Sequence, residues 1–183
     1  QDPDIIMVGE IRDAETAQIA IQSALTGHLV FSTLHTNTAA GAVTRLADMK
    51  VEPFLVSSSV IGVISQRLVR RICEKCKEPA EPPEWMSRAF HLPENSIPKI
   101  FRGKGCRHCH NTGYKGRIGI FEMLRITEGI QKKILANASG SEIEKAARQS
   151  GQPGIQDDAL AKIAAGLTTP EEVVKTIDWG TNG

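Results

Sequence analysis

Aromatic side chains are scarce in this chain of 183 residues, where Phe, Trp and Tyr together make up 4%. A protein that stacks single-stranded nucleic acid needs more aromatic residues than this. The formal net charge of +1 likewise gives no electrostatic reason to expect nucleic acid or an anionic membrane as a partner. Long apolar runs are also missing, since the longest, Phe54 to Ile64, is too short and too rich in serine to span a bilayer.

A short apolar run near the start ends in charged residues. Ile5 to Val8 lead into Gly9 and Glu10, and Arg12 and Asp13 follow. This pattern predicts a buried parallel strand whose carboxyl end carries chemistry, although an ordinary buried strand followed by a surface turn would look the same. Asp13 is a good N-cap for a following helix with a face of alanines.

A second strand is predicted after that helix ends at Thr26-Gly27. It runs from His28 to Leu34 and is followed by His35. Parallel neighbouring strands would place Glu10 and His35 at one edge of an α/β sheet, where open sheets of this kind bind ligands.

The four cysteines form two C-x₂-C pairs, Cys73 with Cys76 and Cys106 with Cys109. Four thiolates in two knuckles match a closed tetrahedral zinc site, and zinc is the interpretation we favour. Two structural disulfides would need an oxidising compartment, and a redox pair would require both motifs to act independently. The motif Cys106-x-x-Cys109-His110 also fits haem attachment, but this leaves the first pair unexplained.

The region between the knuckles is predicted to be an insertion. Residues 66–72 and Arg117 to Leu124 each have the character of a strand, and pairing them leaves Cys73 to Gly116 at the tip. This insertion has few apolar residues and five prolines, so a metal would help to hold it. The remainder is predicted to be helical, with helices over 126–137, 142–149, from Gln156 to Gly166, and after the cap Thr169. Residues 180–183 are expected to fray.

Four blocks of sequence resemble one protein family. The block VGEIRDAET is similar to the acidic (Walker B) box and TGHLVFSTLHTN to the histidine box of the secretion ATPases. These are the hexameric motors of type II secretion and type IV pilus assembly. ISQRLVRRIC before the cysteines and GCRHCHNTGYKGRIGIFEML after them extend the resemblance over nearly the whole chain, most weakly from Pro79 to Pro98. The run GAVTRLADMKVEPFLVSSSV favours the type II secretion branch.

The resemblance implies an α/β fold that is the C-terminal part of a RecA-like ATPase core. The core part would cover residues 1–72, a tetracysteine zinc flap 73–116, a returning strand 117–124 and a C-terminal helical subdomain 125–183. The family's phosphate loop, G-x-x-x-x-G-K-[ST], does not occur in the sequence. We therefore expect a C-terminal fragment that is inactive as an ATPase by itself.

The resemblance also implies roles for individual residues. Glu10 would orient the attacking water or act through Mg²⁺, and His35 would sense the γ-phosphate. Arg12 would order the same edge of the sheet, and His28 and Arg117 are further candidate nucleotide contacts. The alternatives are ordinary ones: a capping or salt-bridged Glu10 and structural histidines.

Cofactors and partners follow from the same resemblance. The full-length protein would use ATP and Mg²⁺, carry a structural Zn²⁺ and assemble as a homo-hexamer. It would be cytoplasmic, peripherally associated with the inner membrane, and would contact the inner-membrane platform and cytoplasmic-anchor proteins of a secretion or pilus machine, with no nucleic acid partner. The competing interpretations are a type IV pilus assembly ATPase, a non-enzymatic zinc-containing binding module, and a c-type haem carrier, which would show a Soret band.

Overall fold

The computed structural model describes residues 3–93, 96–177 and 179, so the expected fraying of 180–183 lies outside the described residues. The chain has a mixed α/β fold whose contacts divide it into two units. The first unit comprises the residues up to 65 together with Met123–Gln152, and the second comprises Gln66–Glu122 together with the residues from 153 onward. The domain boundaries expected from the sequence at residues 72, 116 and 124 stay a prediction.

The first unit opens with a parallel strand pair. Strand β1 (Ile5–Val8) and strand β2 (Leu29–Ser32) pair in parallel, and helix α1 (Ala14–Leu25) connects them. The carboxylate of Asp13 accepts a hydrogen bond of 2.8 Å from the amide of Thr16, which confirms the expected N-cap. The helix ends at Thr26, and Gly27 follows with a φ of 103°, a conformation that favours glycine.

The expectation that β1 is buried is wrong for one of its faces. Met7 is 79% exposed and Ile5 60% exposed, whereas Ile6 and Val8 are half-buried. Val8 and Val30 pack against the core of this unit. Side chains alternate across a strand, and the described residues cover the sheet on that side alone, so the other apolar face meets solvent.

Two helices that the sequence interpretation did not include follow β2. Helix α2 (Ala39–Asp48) begins after the cap Thr38, and helix α3 (Pro53–Ser59) begins with a proline at its first turn. Helices α5 (Glu128–Leu135) and α6 (Gly140–Gln149) complete the unit, and Ser139 and Glu142 form a capping box at the start of α6. The buried residues of this core come from α1, α2, α3, α5, α6, the connecting residues Ile11, Met49 and Val51, and Leu124, and they include Ala17, Ile21, Val43, Leu46, Val56, Ile130 and Ile143.

The two longest described strands form a sheet of their own. Strands β3 (Gly62–Ile72) and β6 (Tyr114–Arg125) pair with each other, as the sequence predicted over a shorter range. Ile126 N donates to Ile61 O at one end and Cys73 N donates to Gly113 O at the other, so the strands run antiparallel. Residues 73–113 therefore form the connection between them.

The second unit contains the four cysteines. Strand β4 (Lys77–Ala80) pairs antiparallel with strand β5 (Ile100–Gly103), and the short helix α4 (Trp85–Ala89) lies between them in the chain. Helices α7 (Ile155–Ala164) and α8 (Pro170–Val174) complete the unit. The apolar residues of the expected insertion do not form a core of their own, because Met86, Phe90 and Ile100 are buried together with Ile163 and Val173.

An ion pair and a hydrogen bond fasten the C-terminal helix α8 within the second unit. Arg70 donates to both carboxylate oxygens of Glu172, at 2.8 Å from Nε and 2.6 Å from Nη2. Thr169 is the N-cap position, as predicted, but its hydroxyl pairs with the Tyr114 hydroxyl at 2.9 Å and makes no side-chain cap. Among the described residues, no helix is long and apolar enough to cross a membrane.

Candidate functional site

Glu10 and His35 lie close together where strands β1 and β2 of the first unit end. Glu10 follows β1 and His35 follows β2, and His35 Nε2 lies 2.8 Å from Glu10 Oε1. Arg12 Nε donates a hydrogen bond of 2.6 Å to the other oxygen, Oε2. The parallel pairing thus brings Glu10 and His35 to one edge of the sheet, as their positions after neighbouring strands indicated.

The charge state of Glu10 follows from these neighbours. The Arg12 guanidinium holds the pKa of the Glu10 carboxyl below its ordinary range; burial opposes this effect, and His35 adds to the lowering. Glu10 is therefore an anion at neutral pH and a weak base. Such a carboxylate is better suited to orienting a water molecule or a cation than to removing a proton completely.

One oxygen of this carboxylate has unused acceptor capacity. Glu10 Oε1 is buried and accepts no aligned hydrogen bond from the described residues, although His35 Nε2 lies 2.8 Å away. The side chain as a whole is 19% exposed, while that of His35 is 86% exposed. An anionic oxygen without an aligned donor fits a divalent cation or an attacking water, so the residues present are compatible with Mg²⁺ chemistry.

The remaining nucleotide candidates lie elsewhere. His28 precedes β2 at the end opposite to Glu10, and its Nδ1 lies 3.0 Å from Ser23 O and 3.2 Å from Thr26 Oγ1. Arg117 is exposed on β6 in the second unit. The structure does not bring His28 to the Glu10 edge, and the roles of both residues stay predictions.

The four cysteine sulfurs converge on one point in the second unit. All four Sγ atoms lie within 4.8 Å of one another, and the pairs Cys73–Cys106, Cys76–Cys109 and Cys106–Cys109 are 3.9, 3.8 and 3.7 Å apart. A tetrahedral site with zinc–sulfur bonds of about 2.3 Å requires sulfurs about 3.8 Å apart. None of the four cysteines is in a disulfide. The distances between their sulfurs fit a four-thiolate zinc site.

Backbone amides also prepare these sulfurs for a cation. Gly105 N donates to Cys76 Sγ, and the amides of Cys106 and Gly113 donate to Cys109 Sγ, each at 3.3 Å. Burial raises the pKa of Cys76 to about 12. Burial also acts to raise the pKa of Cys109, but hydrogen bonds from the two amides and from the Cys106 and Cys76 side chains together lower it to about 6. A bound cation would favour the thiolate form at all four positions.

Glycines allow the chain before and after the second knuckle, Cys106 to Cys109, to come close together. A Cβ at Gly103 would lie 2.0 Å from the carbonyl oxygen of Gly113, which no side chain can tolerate. Gly105 adopts a φ of 96°, the left-handed region in which glycine is favoured. Close backbone contact is therefore the constraint that requires glycine at position 103.

One residue of this edge was missed from the sequence. Thr33 lies two residues before His35, and its hydroxyl donates a hydrogen bond of 2.8 Å to Gly9 O. The sequence does not indicate this bond, because it depends on the strand register, in which Val8 pairs with Ser32 and Gly9 and Thr33 are the next residues.

Comparisons with known proteins agree on one family. The family described as "Type II/IV secretion system protein" matches residues 1–175. The chain is 51% identical over 175 residues to the type II secretion system ATPase E of Vibrio cholerae serotype O1, covering 96% of this chain and 35% of that protein. It is 52% identical over 181 residues to the type IV pilus assembly ATPase PilB of Thermus thermophilus, covering 97% of this chain and 20% of that protein.

Solved structures give the same result for the fold. The pilus retraction motor PilT with bound ADP superposes with a TM-score of 0.63 at 26% identity, covering 94% of this chain and 39% of PilT. The Legionella pneumophila ATPase DotB superposes with a TM-score of 0.59 at 26% identity, covering 94% and 38% of the two chains. The chain belongs to the type II/IV secretion system protein family, and it spans about a third or less of the length of the curated relatives named above.

Proposed function

We propose that this chain is part of the RecA-like core of a hexameric ATPase that powers protein export by type II secretion. The observation that carries the proposal is the convergence of Glu10, Arg12 and His35 where two parallel strands end. Family membership supports it, since the relatives named above are secretion and pilus ATPases.

In this proposal each residue at the edge has a defined task. ATP and Mg²⁺ would supply the phosphoanhydride and the charge neutralisation that phosphoryl transfer requires. Arg12 keeps Glu10 ionised and occupies Oε2, which leaves Oε1 to orient water or to bind a cation. The exposed ring of His35, whose Nε2 lies 2.8 Å from Glu10 Oε1, would turn toward a γ-phosphate and donate a hydrogen bond to it.

The exposed face of the first sheet supports a larger sheet in the longer protein. Ile5 pairs with Leu29 and Met7 with Phe31, and all four side chains are exposed. Because the chain covers 35% of the type II secretion relative, we propose that further strands, helices and the phosphate loop come from the remainder of such a protein. The chain alone would then lack the amides and lysine that hold the β- and γ-phosphates.

The experiment is a paired assay of ATP affinity and turnover on the full-length protein. Glu10→Gln keeps the shape of the side chain but removes its charge, so we expect ATP binding within a few-fold of the parent. Turnover should fall by roughly a hundredfold or more, the effect of a positioned acid–base group. Glu15→Gln, an exposed acid in the first turn of α1, is the matched control and should leave turnover unchanged. Parental turnover in Glu10→Gln would refute the catalytic role of Glu10 on which the proposal rests, whereas a parent protein without ATP turnover would point to a non-enzymatic zinc-containing binding module.

The type IV pilus branch is the second candidate. Identity does not separate the branches, since 51% to the type II ATPase E and 52% to PilB are nearly equal. We favour type II secretion from the run that includes helices α2 and α3. Deleting the gene in its native host and measuring exported proteins and surface fibres distinguishes the two: loss of export supports secretion, and loss of fibres supports pilus assembly.

The remaining parts of the proposal concern assembly. We propose that the full-length protein is a homo-hexamer at the cytoplasmic side of the inner membrane, in contact with platform and cytoplasmic-anchor proteins. The flap of residues 73–116 would bind zinc, and Arg117 and His28 would be further nucleotide contacts. The names of the relatives, which refer to secretion and pilus assembly, support a place within such a machine. Native mass spectrometry of the full-length protein with a slowly hydrolysed ATP analogue measures subunit number, and any stable assembly other than a hexamer contradicts it.

A further inference from the structure

A single residue of β2 holds the backbone on both sides of Glu10. The Thr33 hydroxyl donates to Gly9 O at 2.8 Å, and the Thr33 carbonyl accepts from Ile11 N at 3.0 Å. Gly9 and Ile11 are the two neighbours of Glu10 in the chain. Both peptide groups that bound Glu10 are therefore linked to Thr33.

These two bonds continue the contact between the strands beyond their regular pairing. The regular register ends at Val8 with Ser32. Past that point the chain after β1 turns toward α1. The main-chain pairing by itself does not provide the hydrogen bond that the Gly9 carbonyl accepts from the Thr33 hydroxyl. The threonine side chain supplies a hydrogen bond that the backbone of β2 does not.

The position of Thr33 links the backbone next to Glu10 with the segment that carries His35. Thr33 lies two residues before His35, so the same short segment that fixes the Glu10 backbone also carries the histidine. The Glu10–His35 contact of 2.8 Å is thus closed through a small ring of residues: Glu10, Gly9, Thr33 and His35. A short ring that is closed by one hydrogen bond and one close contact restricts where the carboxylate can move.

We propose that Thr33 is a positioning residue that sets the carboxylate of Glu10 for ATP hydrolysis through its hydroxyl bond to Gly9. The inference rests on the proposed function, because it acts through Glu10. Thr33 is exposed, so water competes for the Gly9 carbonyl and the effect of one neutral hydrogen bond is modest.

The experiment uses the full-length protein and three substitutions of threonine. Thr33→Val keeps the volume and the main-chain bond to Ile11 but removes the hydroxyl, and Thr33→Ser restores it. Thr44→Val is the matched control, because the Thr44 hydroxyl also donates to a main-chain carbonyl, that of Gly41, at 3.1 Å within α2. We expect Thr33→Val to lower kcat about two- to tenfold with KM for ATP within twofold, since one neutral hydrogen bond is lost. Thr33→Ser should recover most of kcat, and Thr44→Val should match the parent.

A double-mutant cycle separates positioning from general stability. If Thr33 acts through the charge of Glu10, Thr33→Val should have no further effect on single-turnover hydrolysis in a Glu10→Gln background. Equal losses in both backgrounds, or a kcat of Thr33→Val equal to that of Thr44→Val, would overturn the inference while leaving the proposed function intact. Parental turnover in Glu10→Gln itself would instead refute the proposed function, and the inference with it.

Discussion

Removing one zinc ligand should unfold more of the chain than the cysteine loop itself. In Cys109→Ser the lost sulfur is 2% exposed and accepts amide hydrogen bonds from Cys106 and Gly113. A serine oxygen is a poor zinc ligand, so the site should lose its metal. Elemental analysis should find one zinc per parent chain and none in the variant.

The size of the effect follows from what the cysteine region packs against. Structural zinc contributes about 10–16 kcal/mol in zinc-finger peptides, which is comparable to the whole stability of a typical domain of about 5–15 kcal/mol. Met86, Phe90 and Ile100 share one core with Ile163 and Val173. Loss of the metal should therefore release helices α7 and α8 together with residues 73–113.

Hydrogen exchange measured by mass spectrometry tests this extent. In Cys109→Ser, protection should fall together over residues 73–113 and 155–177, while α1, α2, α5 and α6 keep theirs because they belong to a separate core. Lys75→Ser is the matched control, an exposed residue between Cys73 and Cys76 that should keep both zinc and protection. Loss of protection confined to 73–113 would refute the shared-core reasoning, and a variant that keeps one zinc would refute the ligand assignment.

Two further predictions concern charged and catalytic groups. Arg70 lowers the pKa of Glu172 in the folded state below the ordinary value of 4.5. The ion pair should therefore stabilise the fold above a pH of about 4.5 and lose this effect as the pH falls through the lowered pKa of the folded state. Glu172→Gln should lower the free energy of unfolding by about 1 kcal/mol at pH 7, a modest loss because Arg70 is half exposed. Urea titrations should show that this difference between variant and parent shrinks below a pH of about 4.5. A pH-independent difference, or an equal loss in the exposed neighbour Glu171→Gln, would contradict this. In the full-length protein His35→Ala should slow ATP turnover about tenfold, less than Glu10→Gln, since one hydrogen bond to a charged group is lost; rates at or below those of Glu10→Gln would show that His35 does more than this.

The candidate edge could be predicted because its parts are close in sequence to strand ends. An apolar run that ends at Glu10, a helix capped by Asp13, and a second run that ends at His35 are enough to predict a parallel pair with both side chains at one edge. The zinc site could be predicted for a similar reason, since each C-x₂-C knuckle places two sulfurs together locally.

The two helices that were missed carry local signals of different strength. Thr38 caps α2, and its buried residues Ala39, Val43 and Leu46 recur at helical spacing, so this helix could have been predicted from the sequence. Helix α3 has only a proline in its first turn and seven residues, and its buried Val56 packs in one core with Ile130 and Ile143, a contact that a single-sequence pattern does not contain.

Sequence by itself predicted which residues meet at the two sites, because each polar side chain directly follows an apolar run and each cysteine pair has the spacing of a zinc knuckle. Tertiary structure alone decided three other properties: the exposure of one face of β1, the bond from Thr33 to Gly9, and the core that residues 86–100 share with α7 and α8. Each of these depends on contacts between segments far apart in the chain. Such contacts arise from the burial of apolar area and from the register of paired strands, which no short stretch of sequence specifies.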